Sequence, residues 1–188
     1  MSNPIRFGVL GGAKFALDHM ARAIHEAEGA EFTALATSSL DKAAPFQAFC
    51  PRLKVFTDYD AMLASDEIDA VYIPLPNHLH VAWSLKALAA GKEGFGPAME
   101  QTEIDALIAK RDETGLLAAE AFMIVHHPQW ARVKEMLAAG EIGDLIRVDV
   151  AFSFDNPDLD NIRNKPGTGG GAMGDIGVYA IGSVRYAT

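Results

Sequence analysis

Asp175 and Tyr179 stand four residues apart at the end of the stretch Gly169-Gly170-Gly171-Ala172-Met173-Gly174-Asp175-Ile176-Gly177-Val178-Tyr179. The run from Asp175 to Tyr186 has helical spacing, and residues four apart on a helix share a face. A phenol beside a carboxylate can give a proton to a substrate oxygen or take one from it. A free phenol titrates near pH ~10, so it needs help, usually from a cation, to work near neutrality. The glycines bring the backbone close to something. The alternative is a Gly-rich loop leading into a helix with a buried tyrosine.

A different chemistry belongs to the other end of the chain. Ile5, Phe7, Val9 and Leu10 read as a short buried strand. Gly11 and Gly12 then allow a tight turn, and Ala16, Met20, Ala23, Ile24 and Ala27 follow at helical spacing. A strand, a glycine turn and a helix N-terminus together cradle a phosphate, because free backbone N–H groups and the positive helix end converge. The dinucleotide fingerprint is Gly-x-Gly-x-x-Gly/Ala. Here the frame is Gly11-Gly12-Ala13-Lys14-Phe15-Ala16, with alanine at the second key position. An ordinary tight strand-to-helix turn is the competing reading.

Two further stretches belong beside that turn. Dinucleotide binders place an acidic residue at the tip of the second strand for the ribose 2′-OH. This chain has Thr37, Ser38 and Ser39 there, with Lys42 nearby. Hydroxyls and a cation suit a 2′-phosphate better than an acid would, which leans toward NADP over NAD. Ser38-Ser39 as a plain helix start is the alternative. The second stretch is Pro74-Leu75-Pro76-Asn77-His78-Leu79-His80, at the carboxyl end of a central strand, where open α/β sheets bind ligands. Asn77 can cap the following helix. Pro74, Leu75, Asn77 and His80 suit contact with a nicotinamide ribose better than metal ligation. His78 and His80 diverge on a helix, and no further ligand follows at metal spacing. His126 and His127 face a cleft or cap the helix that carries Trp130.

The elements that must position these groups alternate. Strands are expected at Phe32–Thr37, Lys54–Phe56, Asp69–Ile73 and Leu116–Phe122. Helices are expected from Asp41 to before Pro51, over Tyr59–Leu63, from His78 to Gly91, from a Thr102 N-cap, and from Pro128 to Gly140. That alternation implies right-handed crossovers and a parallel sheet. The segment Lys92–Ala98 is a poor strand by propensity. Ile146, Val148, Val150 and Phe152 alternate at period two, which predicts a half-buried strand over Leu145–Phe154 for an antiparallel sheet. The fold class is therefore α/β: a Rossmann-type doubly wound parallel sheet followed by the start of a second α/β domain.

The chain has 188 residues, 49% hydrophobic and 22% charged, which fits a globular protein with a sizeable core. A formal net charge of -9 argues against nucleic acid and anionic membranes as partners. Cys50 is the single cysteine, so there is no internal disulfide. No basic and apolar leader and no long apolar span are visible, so a cytoplasmic location is expected.

Together these stretches resemble the Gfo/Idh/MocA family of oxidoreductases, in the branch of dimeric dihydrodiol dehydrogenase and NAD(P)-dependent xylose dehydrogenases. The residues carrying the likeness are Gly8–Ala16, Val71–His80, Glu120-Ala121-Phe122-Met123, His127-Pro128-Gln129-Trp130, and Gly169-Gly170-Gly171 through Asp175-Ile176-Gly177-Val178-Tyr179. The resemblance implies an NAD(P)-binding Rossmann domain over residues 1–123 and an incomplete substrate and dimerisation domain over 124–188. It implies hydride transfer between the nicotinamide cofactor and a sugar or diol, with Tyr179 as acid/base beside Asp175, no metal, and a homodimer through the second domain. Two departures stand out. The family's Glu-Lys-Pro motif is missing around Glu93–Met99, and most of the C-terminal sheet is absent. They motivate an alternative, a truncated and catalytically impaired nucleotide-binding or interaction protein.

Overall fold

The computed structural model describes residues 3–95 and 100–188. The chain divides into two units, Met1–Glu120 and Ala121–Thr188. The first unit is built on a sheet of strands β1 (Ile5–Leu10), β2 (Ala30–Ala36), β3 (Lys54–Phe56), β4 (Ala70–Tyr72), β5 (Glu93–Phe95) and β6 (Ala118–Ala119). All pairings are parallel and the order is β3-β2-β1-β4-β5-β6. This is the doubly wound arrangement, whose order reverses between β1 and β4.

Alternation along the strands feeds two cores. Val9, Phe32, Leu35 and Tyr72 pack on one face with Ala21, Ile24, Ala43 and Phe46. These come from helices α1 (Ala21–Glu26) and α2 (Leu40–Phe49). Leu10, Ala34, Ala36, Val71 and Ile73 pack on the other face with Met62, Leu63 and Ala87. These come from α3 (Tyr59–Leu63) and α4 (Asn77–Ala89). Neighbouring residues of one strand thus go to opposite faces, as the pleat requires, and β1, β2 and β4 are apolar on both. The β1–β2 register slips between Phe7 and Gly8, where Thr33 is the extra residue. The Thr33 hydroxyl binds the Glu67 carbonyl at 2.8 Å and the Phe7 carbonyl at 3.3 Å.

The expected strand over Lys54–Phe56 and helix over Tyr59–Leu63 have those bounds in the structure. Asp58 caps α3 by accepting from the Ala61 amide at 2.9 Å. Elsewhere the expectation fails for identifiable reasons. A strand does form after Gly91, at Glu93–Phe95, despite its poor propensity. It pairs with β4 and β6, and Gly94 sits 3.8 Å from Ser84 of α4 at the position where a Cβ would stand, so tertiary pairing overrides local preference. Gly96, Pro97, Ala98 and Met99, where the shortened Glu-Lys-Pro segment is expected, lie outside the described residues. Helix α5 (Gln101–Thr114) is capped by Glu100 rather than Thr102, with the Glu103 carboxylate accepting from the Glu100 amide at 3.2 Å.

The second unit contains α6 (Pro128–Ala138) and α7 (Val178–Ala187), joined by a long irregular stretch. The strand expected over Leu145–Phe154 forms no ladder. These residues carry no sheet hydrogen bonds, and Ile146, Val148, Val150, Phe152 and Phe154 are exposed. The period-two pattern describes a half-buried strand, and none of the described residues pairs with it.

Candidate functional site

The glycine turn lies where β1, β2 and β4 end. The Gly11 amide donates to the Ala36 carbonyl at 2.8 Å, which ties the turn to the end of β2. Gly11 has φ +107, a conformation that L side chains rarely adopt. A Cβ there would lie 2.9 Å from Leu75 Cδ2. A Cβ on Gly12 would lie 3.2 Å from both Thr37 Oγ1 and Lys42 Cβ. The two glycines are therefore wedged between the residues after β2 and those after β4, and the backbone itself lines the crevice. Ala13 is half-buried, Lys14 and Phe15 are exposed, and Ala16 is fully buried. Lys14 pairs with Asp18, and the Phe15 and His19 rings stand 4.9 Å apart. Ala16 opens a π-helical turn, Ala16–Met20, before α1 begins. Such wide turns recur at functional sites.

Thr37 is buried, and its amide donates to the Phe56 carbonyl at 2.9 Å. Ser38 is exposed, while Ser39 occupies the N-cap of α2 without a side-chain capping bond. Lys42 is exposed in the first turn of α2, and among the described residues it forms no ion pair. Its Cβ flanks the Gly12 turn.

On the other side, Pro74, Leu75 and Pro76 run from β4 into α4 and are half-buried. Pro76 is the N-cap and Asn77 the first helical residue, so Asn77 does not serve as the cap that its type suggests. His78 is exposed, whereas His80 is only 5% exposed. Neither ring nitrogen of His80 has a hydrogen-bond partner among the described residues. Burial holds its pKa below the ordinary value, with the His78 charge acting the same way. The nearby Leu75 backbone opposes this without reaching hydrogen-bond geometry. A neutral, buried and unpartnered imidazole in the first turn of α4 is an unmet polar demand next to the crevice.

In the second unit Asp175 lies in another π-helical turn, Met173–Gly177, that runs directly into α7. The wider turn alters the i, i+4 alignment expected for Asp175 and Tyr179. The Tyr179 ring lies 5.7 Å from Phe122 and 5.4 Å from Phe152 between centroids. Arg163 Nε lies 3.2 Å from Asp175 Oδ2. The glycine cluster makes that approach feasible. A Cβ on Gly170 would lie 2.6 Å from the carbonyl oxygens of Ile162 and Arg163, and the Gly171 amide donates to Arg163 O at 2.8 Å. His127 proves to be a cap. Its Nδ1 accepts from the Gln129 amide at 3.1 Å.

Two further residues carry no marking signal in the sequence. Arg163 sits in a polar loop with no periodicity to mark it. Tyr59 lies in a short helix and looks like core. Its hydroxyl stands 3.6 Å from where a Gly11 Cβ would be.

A sheet of this order, with a glycine turn at its reversal point, defines a nucleotide-binding α/β fold. The profile described as "Oxidoreductase family, NAD-binding Rossmann fold" matches residues 5–96, and that of the "GFO/IDH/MocA C-terminal domain" matches residues 130–188. The chain belongs to the Gfo/Idh/MocA oxidoreductase family. It is 38% identical over 185 residues to a dTDP-3,4-didehydro-2,6-dideoxy-alpha-D-glucose 3-reductase of Actinomadura kijaniata, covering 96% of this chain and 55% of the relative. It is 36% identical over 193 residues to D-xylose 1-dehydrogenase (NADP(+)) 2 of Haloferax volcanii, covering 95% of this chain and 56% of that one. A crystal structure of a 3-ketoreductase from Actinomadura kijaniata in complex with NADP and TDP-benzene superposes with a TM-score of 0.82 at 37% identity, covering 94% of this chain and 55% of that one. The chain thus spans about half the length of the curated relatives that it matches. Among the described residues, no helix is long and apolar enough to cross a membrane.

Proposed function

We propose that this chain binds NADP(H) at the Gly11 turn and serves an oxidoreductase acting on a hydroxyl or carbonyl of a sugar or diol. The observation carrying this reading is the wedged pair Gly11 and Gly12, whose side-chain space is taken by Leu75, Thr37 and Lys42. That leaves backbone to face the ligand. Gly11, Gly12, Ala13, Lys14, Phe15 and Ala16 form the phosphate cradle. Thr37, Ser38, Ser39 and Lys42 take the ribose end, and the unpaired Lys42 favours a 2′-phosphate. Pro74, Leu75, Asn77 and His80 take the nicotinamide end, where the unpartnered His80 ring gains a polar partner.

A bound nicotinamide supplies hydride transfer, and the protein's part is placement and proton handling. Tyr179 exchanges the substrate hydroxyl proton, with Asp175 preceding it and the Phe122 and Phe152 rings limiting its motion. We assign residues 1–123 to the nucleotide domain and 124–188 to the substrate domain. The exposed apolar alternation over 146–154 supports pairing with a second copy, as a homodimer in the cytoplasm.

The test is a fluorescence titration with NADPH and NADH, followed by turnover assays with xylose, a vicinal diol and a ketosugar nucleotide. Tighter binding of NADPH, with turnover of one of these substrates, is expected. Absence of binding by either cofactor overturns the proposal.

A further inference from the structure

We propose that the Tyr59 hydroxyl is a hydrogen-bond donor to the phosphate oxygens of the dinucleotide held at the Gly11 turn. This rests on the nucleotide-binding reading and adds a residue to it from outside the fingerprint stretches. Tyr59 opens α3, on the far side of β3 in the sequence, yet its hydroxyl lies 3.6 Å from the position of a Gly11 Cβ. Leu75 Cδ2 lies 2.9 Å from the same position. A side chain from α3 and one from the loop between β4 and α4 thus meet at the glycine whose φ of +107 turns the chain.

The ring is held firmly. Trp83 of α4 packs against it edge-on, 5.1 Å between centroids. The Lys86 ammonium lies 4.1 Å from the Trp83 centroid and pairs with Asp60, the next residue, at 2.8 Å. This stack ties α3 to α4 and fixes where the phenol points. Within the described residues the hydroxyl has no hydrogen-bond partner, although the ring is half-buried. A hydroxyl donor held beside a backbone turn suited to phosphate is placed to bind an anionic oxygen. Burial pushes the Tyr59 phenol up from its ordinary pKa, so it stays protonated and keeps its donor.

The test compares the wild-type chain with Tyr59→Phe, which keeps the ring and the Trp83 contact and loses only the hydroxyl. NADPH is titrated by fluorescence, and adenosine 2′-monophosphate, which has no pyrophosphate, is titrated by competition. Tyr59→Phe is expected to weaken NADPH roughly tenfold or more while leaving adenosine 2′-monophosphate unchanged. Unchanged NADPH binding overturns the assignment, and so does an equal loss for both ligands. A wild-type chain that binds neither NADPH nor NADH overturns the nucleotide-binding reading itself, which is a distinct result. Circular dichroism and the thermal midpoint without ligand confirm that the variant is folded.

Discussion

Arg163 Nε and Asp175 Oδ2 stand 3.2 Å apart, joining a 3-10 turn over Ile162–Asn164 to the π turn that leads into α7. The Asp175 side chain is 19% exposed, so its orientation is set by this one cation and by the turn that carries it. If Tyr179 handles the proton, Arg163 acts on it only through Asp175. Arg163→Met is expected to lower turnover roughly 10- to 100-fold with the cofactor KM unchanged, and Arg163→Lys to recover part of it. In an Asp175→Asn background the same change should cost nothing more. Steady-state kinetics of the four variants check this, and additive losses contradict it.

The Gly11 turn is tightly constrained by its conformation and its neighbours. An alanine at Gly11 needs φ +107 and brings its Cβ within 2.9 Å of Leu75 Cδ2. Gly11→Ala is expected to destabilise the chain by about 1–3 kcal/mol and to remove NADPH binding. Gly12→Ala faces contacts of 3.2 Å with Thr37 and Lys42, and the Lys42 stem can yield, so its expected loss is smaller. Urea unfolding and NADPH titration of both variants measure the difference. Equal losses contradict it.

Lys42 gives a charge test. It is exposed, lies beside Gly12, and forms no ion pair among the described residues. Lys42→Glu replaces attraction for a 2′-phosphate by repulsion. The expected outcome is at least a roughly tenfold loss of NADPH affinity, with NADH affinity little changed and the wild-type preference falling as salt is raised. Equal loss of both cofactors indicates a general effect on the turn.

The glycine turn and the central strands are legible because their signals are local. An apolar run ending in Gly11-Gly12 can do few things, and Lys54–Phe56 and Tyr59–Leu63 have edges marked by turn residues and by the Asp58 cap. What stayed hidden depends on contacts distant in sequence. Glu93–Phe95 is a strand only because β4 and β6 flank it. Leu145–Phe154 has the alternation of a strand and pairs with none of the described residues. An ideal helix puts Asp175 and Tyr179 on one face, and the π turn at Met173–Gly177 changes their spacing around the axis. Tyr59 and Arg163 show the same limit for the site. Each matters through a neighbour distant in sequence, Gly11 for Tyr59 and Asp175 for Arg163.

His80 connects stability to the site. The residue is buried, with 5% exposure, and neither ring nitrogen is hydrogen-bonded among the described residues. Burial is the main cause that holds its pKa below the ordinary 6.5. Above about pH 6.5 both folded and unfolded chains carry it neutral, and its contribution to stability is complete. As pH falls below that value the unfolded chain takes up a proton that the folded chain refuses. Stability is then lost progressively, down to the folded-state pKa. The wild type is expected to lose up to about 1 kcal/mol from this group between pH 7.5 and 5.5. His80→Leu removes both the slope and the unpaired ring nitrogens. It is expected to be more stable by about 1–3 kcal/mol at pH 7.5, with a wider margin at pH 5.5. The same change takes away a polar partner at the proposed nicotinamide end, so NADPH affinity should fall. Urea unfolding at the two pH values, with NADPH titration at pH 7.5, measures both effects. A variant less stable than the wild type at pH 5.5 means that His80 is not an unpaired neutral ring in the folded chain.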